Sequence, residues 1–304
     1  MRRLLSAFPA ELRTSRLLVV YLAIGLVVGL VTNPLSAVVD YLFLAGYAAL
    51  IVWWLRNDAH TLTSVDDESP ANRRDVVVLV LVALLAFAAV SWFWFGPRPR
   101  QPGAWVSDRL RSGSVDLLLA VKVGTAVNAL ILLLVPAIVV TSIARLRPRQ
   151  IALVPRKLGL ALVLSLLAVA LGLTTIVVGQ PQTGWHGNKG PLWSIALFLA
   201  QACINGLPEE FIFRGVILSR LLRLFSNPGT ALVLSSVLFS AFHVPSILGQ
   251  SPHPPWWQVV PYAILSPGYQ PTGLIWGYLC YRTRSIWPGV LWHTSSTVFG
   301  VSFW

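Results

Sequence analysis

The sequence predicts an all-α membrane protein with several transmembrane helices, and two observations lead to this fold class. Of the 304 residues, 56% are hydrophobic and only 11% are charged, whereas soluble domains carry about 25% charged residues. The mean hydropathy is +0.71, and the apolar residues form long runs, each near the length that crosses a hydrocarbon core of about 30 Å. We therefore expect a multi-pass protein of the cell membrane, with the lipid bilayer as its permanent partner.

The apolar runs predict eight or nine transmembrane helices. They fall near Leu17–Val31, Leu35–Leu55, Val76–Phe95, Leu117–Val140, Leu158–Val178, Leu192–Gly206, Ala231–Leu248, Trp256–Cys280 and Ile286–Trp304. The eighth run is interrupted by Ser266-Pro267-Gly268. A broken helix is tolerated in a membrane only where its freed backbone groups face protein or a polar cavity. The break therefore indicates a polar cavity among the C-terminal helices.

The basic residues predict topology and not nucleic-acid binding. The net charge of +12 would suggest nucleic acid in a soluble chain, but here Lys and Arg cluster between the apolar runs, as expected for cytoplasmic loops. The basic segments that alternate as cytoplasmic are the stretch up to Arg16, the loops Arg56–Asp75 and Arg145–Lys157, and the turns at Arg220/Arg223 and Arg282/Arg284. The basic loop Gly96–Asp116 is the exception. We expect the N-terminus inside and no nucleic-acid partner.

The polarity of the chain divides it into two parts. Residues 1–180 contain few ionisable groups within apolar runs, namely Asp40 and Lys122, which are readily explained by snorkelling or helix packing. A loop rich in Gly, Pro, Gln and Asn follows, from Gly179 to Pro191. We predict an N-terminal helical scaffold over residues 1–180 and a C-terminal helical core around a polar cavity over residues 190–304.

Two adjacent carboxylates and an arginine lie inside the apolar run from Trp193 to Phe225. They are Glu209, Glu210 and Arg214. A charge at the centre of a membrane-spanning segment costs about 2.5–3.5 kcal/mol even on mild insertion scales, so such residues usually mark a functional site. Beyond Asp116 the chain has no other acidic residue. Any carboxylate chemistry in the C-terminal part therefore falls to these two glutamates.

The spacing of these residues predicts different roles for the two glutamates. Pro208 predicts that a helix restarts here, with both glutamates in its first turn, where exposed N–H groups favour a carboxylate. Arg214 follows Glu210 by four residues and shares its helix face, whereas Glu209 points about 100° away. Because a buried carboxylate without a cationic partner takes up a proton more readily, Glu209 is the better general base.

Two histidines on later apolar runs are the other candidate site residues. Helical spacing places His243 on the same face as Phe239, and His293 on the same face as Thr297. A lone histidine in a membrane helix usually forms interhelical hydrogen bonds. Two of them on separate spans, following a double glutamate, favour a site.

Three motifs in order resemble the CPBP family of intramembrane proteases, also called the CAAX-protease or Abi family. They are Glu-Glu-x-x-x-Arg-Gly at 209–215, Phe-x-x-x-His at 239–243, and a closing His at 293 after Gly-Leu-Ile-Trp-Gly-Tyr at 273–278. The resemblance covers the chain from about Trp193 onwards. It implies that Glu209 activates water, that Glu210 and Arg214 brace it, and that His243 orients the water or a metal. It also implies that His293 and the residue four positions later stabilise the oxyanion.

Thr297 departs from that family pattern, which has Asn or sometimes Asp four residues after the closing histidine. A threonine hydroxyl offers one donor in place of an amide NH2, and losing an oxyanion donor outright costs about 2.7–4 kcal/mol. We therefore expect Thr297 to act as a weaker donor, with slower catalysis, a changed substrate or lost catalysis as the alternatives.

The requirement for a metal stays open at this stage. The family is commonly labelled metalloprotease, and a Glu/His/His set has the donor types that zinc takes. However, the chain lacks His-Glu-x-x-His and its candidate ligands are spread over three spans. Water activated by Glu209 and His243 would suffice chemically.

Three functions are compatible with these residues. The favoured one is an intramembrane endopeptidase of the CAAX-protease type, acting near the membrane surface on a peptide or a lipidated protein. The alternatives are a scaffold or adaptor that keeps the fold with little or no catalysis, and a secondary transporter with a proton relay. The transporter has less support because no inverted repeat is apparent.

Overall fold

The fold was analysed in a computed structural model, which describes residues 15–32, 72–96, 102–113, 115–155, 191–249 and 272–298, and isolated positions within 159–167 and 255–259. Within these residues the regular elements are helices without any strand, which confirms the all-α class. The helices are α1 (Arg16–Thr32), α2 (Arg73–Phe95), α3 (Pro102–Ser112), α4 (Leu117–Ile143), α5 (191–224), α6 (Pro228–Phe242), α7 (Val244–Leu248), α8 (Thr272–Thr283) and α9 (Trp287–Val298).

Four stretches of these helices are long and apolar enough to cross a membrane. They are Arg73–Phe95, Leu117–Ile143, Ile195–Leu224 and Pro228–Leu248. Helix α1 is apolar over the shorter stretch Arg16–Val27. The predicted spans Leu35–Leu55 and Leu158–Val178, the break at 266–268 and Asp40 lie wholly or mostly outside the described residues. The total of eight or nine spans therefore stays a prediction.

Helix α5 lies at the centre of the hydrophobic core. Its residues Phe213, Ile217 and Leu218 are fully buried, and the segment around them packs against α2, α6 and α8. Val82 of α2 belongs to the same core cluster, so the N-terminal and C-terminal parts of the chain share one interior. Helices α1, α2 and α4 expose large apolar side chains on their outer faces, as lipid-facing helices do.

Pro208 lies within α5, and the expected helix restart at this residue is wrong. A proline inside a helix removes one donor and crowds the preceding turn. Here the preceding turn, Ala202–Gly206, is π-helical, with the Leu207 N–H bonded to the Ala202 carbonyl five residues back. Phe211–Leu218 is π-helical as well. These wider turns carry the helix past the proline, so the two glutamates lie in mid-helix and not at an N-terminus.

A buried ionic cluster joins α2 to α5. Asp75, in the first turn of α2, has no exposed surface and contacts Arg220 at 2.7 Å and Arg223 at 3.1 Å. Asp75 also forms a capping box with Asn72, in which each side chain accepts a backbone N–H of the other residue. Arg220 donates in addition to the Gln150 carbonyl at 3.1 Å.

The ionic cluster lies at one end of the helices. Several segments that the charge pattern predicts to lie on the same side of the membrane meet at this end. The cluster joins the end of loop 56–75 to Arg220 and Arg223, which lie near the end of α5. The 145–157 segment reaches the turn before α9, where the Ile286 N–H donates to the Ala152 carbonyl at 3.0 Å and the Trp287 indole donates to the Leu153 carbonyl at 2.9 Å. This common end agrees with the predicted alternation, and its cytoplasmic location stays a prediction.

Candidate active site

The predicted site residues converge from three helices. Glu209, Glu210 and Arg214 come from α5, His243 follows the last residue of α6, and His293 lies in α9. These three charged residues of α5 are buried, with whole-residue exposed fractions of 7%, 0% and 1%. The helix-terminal stabilisation expected for the glutamates does not apply in mid-helix, so their charge must be compensated by side chains.

Glu210 and Arg214 form the predicted pair. Arg214 Nη1 lies 3.2 Å from Glu210 Oε1, and Arg214 Nη2 donates to the Gly273 carbonyl of α8 at 3.3 Å. The guanidinium carbon lies 4.2 Å from the ring centroid of Phe239 and 5.3 Å from that of Trp276, within the range of cation–π attraction. The local i,i+4 pair is therefore held in place by two further helices, α6 and α8.

Gly289 of α9 makes room for the Glu210 carboxylate. A Cβ atom at this position would run into Glu210 Oε2 and lie 3.1 Å from Cδ. Any larger residue would therefore push the carboxylate away from Arg214 or move α9. The close approach brings α9, and with it His293, against the buried ion pair.

His243 presents one ring nitrogen to Glu209. Its Nδ1 lies 2.9 Å from the Phe239 carbonyl, which confirms the predicted shared face. Because a carbonyl only accepts, Nδ1 carries the hydrogen, and Nε2 of the neutral ring is an acceptor. That Nε2 lies 3.7 Å from Glu209 Oε2. The His243 side chain is 22% exposed, against 9% for Glu209, so the site opens on the His243 side.

His293 links the two glutamates. Its Nδ1 lies 3.4 Å from Glu210 Oε1 and its Nε2 lies 3.8 Å from Glu209 Oε2. The ring stacks on Trp276, with centroids 4.3 Å apart and planes inclined by 24°. This stacking holds the imidazole plane so that one nitrogen faces each carboxylate.

Thr297 is used differently from the expectation. Its hydroxyl donates to the His293 carbonyl at 2.7 Å, the back-bond that threonine commonly forms inside a helix. The hydroxyl thus has no hydrogen left for an oxyanion. It accepts instead from Asn205 Nδ2 at 3.2 Å.

Sequence reasoning missed Asn205 and its neighbour Gln201. Gln201 Nε2 donates to Asn205 Oδ1 at 3.0 Å, so Gln201, Asn205 and Thr297 form a chain of hydrogen bonds between α5 and α9. The available signal was the spacing, because both amides precede Glu209 by whole helical turns in an otherwise apolar run. Asp75 was missed as well, since the charge pattern places it only at the end of the basic loop Arg56–Asp75.

The arrangement does not define a metal site. In the part of the chain that the structure describes, no group of three or more His, Cys, Asp or Glu side chains is placed to hold a metal ion. The nearest approximation is Glu209 with His243 and His293, which are donor types that zinc accepts. We therefore derive no step through a metal.

A protein-family model matches this part of the chain. Residues 191–299 match the family model described as type II CAAX prenyl endopeptidase, Rce1-like. No curated protein and no solved structure gave a match. The matched segment contains every candidate site residue given above except Asp75. The resemblance to the CAAX-protease family predicted from the three motifs is thus confirmed for residues 191–299, which match its Rce1-like CAAX prenyl endopeptidases.

Proposed function

We propose that this protein is an intramembrane endopeptidase of the CAAX-protease type, which hydrolyses a peptide bond of a peptide or lipidated protein near the membrane surface. The observation that carries the proposal is the convergence on Glu209 Oε2 of two imidazole Nε2 atoms, at 3.7 and 3.8 Å, from two other helices. In the described residues, Glu209 Oε2 accepts no hydrogen bond. A buried carboxylate oxygen with this surrounding is suited to take a proton from a reactant.

The reactant that fits between Glu209 and His243 is water. Their acceptor atoms are too far apart for a direct hydrogen bond, and a polar contact at this separation is commonly bridged by water. Glu209 Oε2 accepts one hydrogen of this water and His243 Nε2 accepts the other. The oxygen lone pair of the water is then directed at the scissile carbonyl.

Proton transfer can be balanced with Glu209 alone. The carboxylate takes a proton as the water oxygen bonds to the carbonyl carbon, which produces a tetrahedral oxyanion. When the C–N bond breaks, the carboxylic acid returns that proton to the leaving nitrogen, and the products are a carboxylic acid and an amine. The base is regenerated without another reactant.

Glu210 and Arg214 support this chemistry without touching the reactants. The Glu210 carboxylate faces Nδ1 of His293 and holds the ring so that Nε2 points towards Glu209 and the reacting carbonyl. Arg214 balances the charge of Glu210. In this reading the ion pair is a positioning device for His293.

The proposal is tested with purified protein in lipid nanodiscs and a fluorogenic peptide that carries a farnesylated C-terminal CAAX sequence. We expect cleavage, and a fall in kcat of about 10²–10⁴-fold for Glu209→Gln, the range that a general base contributes. His253→Gln is the matched control, because this histidine lies outside the family motifs and is expected to leave cleavage unchanged. The unprenylated twin peptide reports whether the lipid is recognised.

Two results would overturn the proposal. Undiminished cleavage by Glu209→Gln would show that the base lies elsewhere. No cleavage of either peptide by a correctly folded wild-type protein, with stable capture of the prenylated one, would favour the non-catalytic scaffold. That capture would be measured by pull-down from the nanodiscs.

A further inference from the structure

We propose that Asn205 supplies the amide donor for the oxyanion that the family pattern places four residues after the closing histidine. This inference rests on the proposed peptidase function and extends it to a residue outside the three motifs described above. Position 297 is a threonine here, and its only hydroxyl hydrogen is bonded to the His293 carbonyl at 2.7 Å. An amide donor for the oxyanion must therefore come from another helix.

The packing of α5 against α9 places Asn205 one helical turn from the contact between Glu209 and His293. Glu209 faces His293 across the two helices at 3.8 Å, and Asn205 contacts Thr297 at 3.2 Å. The residues that form the two contacts are four positions apart on each helix. Their order is opposite on the two helices, as in an antiparallel pair. Asn205 therefore lies on the same face of α5 as Glu209, one helical turn of about 5.4 Å away.

Gly206 allows this close approach of the two helices. A Cβ atom at Gly206 would run into Thr294 Oγ1 and lie 3.1 Å from the Val290 carbonyl. The neighbouring residue, Asn205, is thereby held against α9. The π-helical turn that accommodates Pro208 spans Ala202–Gly206, so the same local feature that carries α5 past the proline contains Asn205.

The hydrogen bonds determine which way the Asn205 amide points. The Thr297 hydroxyl donates its hydrogen to the His293 carbonyl, so it can only accept from Asn205. The Asn205 atom that faces this hydroxyl is therefore the amide nitrogen. The Asn205 oxygen then faces Gln201 Nε2, a donor, at 3.0 Å. The Thr297 contact selects this orientation of the Asn205 amide, and Gln201 presents the matching donor.

One hydrogen of the Asn205 amide is left for a ligand. The NH2 group carries two hydrogens, and Thr297 takes one. Among the described residues the second is in no hydrogen bond. An N–H on the Glu209 face of α5, one turn from the base, is suited to donate to the oxygen of a carbonyl that Glu209-bound water attacks. His293 Nε2 approaches the same carbonyl from α9.

The experiment exchanges the two side chains. In the nanodisc assay, Asn205→Thr leaves no amide at either position, and we expect kcat to fall by about 10²–10³-fold, the loss typical of one oxyanion donor, with KM unchanged. The exchange variant Asn205→Thr/Thr297→Asn restores an amide from the other helix and is expected to recover most of this loss. A merely structural Asn205–Thr297 hydrogen bond would be restored by the same exchange, and it would show as a melting temperature that falls and recovers together with kcat.

Asn205→Leu guards against misfolding as an explanation, because it removes the donor at similar volume without placing a charge in the membrane-spanning helix. We expect a fall in kcat as large as that of Asn205→Thr, with a melting temperature close to that of the wild type. Thr297→Val removes the hydroxyl that holds the amide and is expected to lower kcat. Its matched control is Thr125→Val, since Thr125 forms the same kind of back-bond, to Val121 at 2.9 Å, on the exposed side of α4.

The outcomes separate this inference from the proposed function. If Glu209→Gln abolishes cleavage while Asn205→Thr and Asn205→Leu keep the wild-type kcat, the assignment of Asn205 is wrong and the peptidase stands. An exchange variant no better than Asn205→Thr also contradicts it. A folded wild-type protein without peptidase activity would overturn the function and this inference together.

Discussion

Replacing Arg214 by methionine tests whether the core of this protein depends on a buried ion pair. Both side chains of the pair are almost completely buried, with exposed fractions of 1% for Arg214 and 0% for Glu210. Removing one partner leaves a charge without compensation, which costs about 3–5 kcal/mol for buried pairs. Arg214→Met also loses the cation–π contacts with Phe239 and Trp276, which together contribute about 1–2 kcal/mol to stability.

The double variant Glu210→Gln/Arg214→Met separates the charge effect from the loss of packing. The glutamine keeps an oxygen for His293 Nδ1, which lies 3.4 Å from Glu210 Oε1, and the methionine keeps most of the apolar stem of arginine. Neutral replacements of a whole buried pair are often harmless or stabilising. We expect Glu210→Gln to lose about 3–5 kcal/mol, Arg214→Met to lose about 4–7 kcal/mol, and the double variant to lose less than either.

The measurement is the free energy of unfolding in mixed micelles, followed by tryptophan fluorescence during titration with a denaturing detergent. Asp108→Asn is the control, because the Asp108–Arg111 pair is 3.9 Å long and its side chains are 77% and 55% exposed. Such surface pairs contribute about 0–1 kcal/mol. A double variant whose loss equals the sum of the two single losses would show that the charges are not coupled.

Three further predictions follow from the same structure. Activity is expected to survive 1,10-phenanthroline, because the proposed proton transfer is balanced by Glu209 without a metal; inhibition that zinc reverses would contradict this. Asp75→Asn should lower the free energy of unfolding by about 3–5 kcal/mol, because it leaves the buried Arg220 without its anion, and a denaturation midpoint equal to wild type would refute it. Gly289→Ala should lower both stability and kcat, because the new methyl group meets the Glu210 carboxylate; a variant with wild-type activity and melting temperature would show that α9 adjusts without cost.

The local pairs of the site could be predicted from the sequence. Glu210 and Arg214 are four residues apart, as are Phe239 and His243, and a helix brings such residues together whatever surrounds it. The all-α class followed equally directly, because long apolar runs have few other solutions in a membrane. The family motifs also depend only on local order and spacing.

Pro208 shows where local rules failed. Proline usually ends or kinks a helix, and this rule placed the glutamates at a new N-terminus. In the structure α5 continues through the proline with widened turns, since packing against α9 and the core stabilises a helix that the local sequence alone would interrupt. The charge of the glutamates is consequently balanced by Arg214 and not by a helix end.

The sequence by itself determined that the chain forms apolar helices, which residue carries each charge inside them, and which pairs share a helix face. Only the tertiary structure decided how those faces meet. The contacts of Asn205 with Thr297 and of Arg220 with Asp75 join residues 92 and 145 positions apart. No helical period relates such residues. Their contact depends on close approaches such as that at Gly206, and on the angles at which whole helices pack, so it becomes visible only when the helices are assembled.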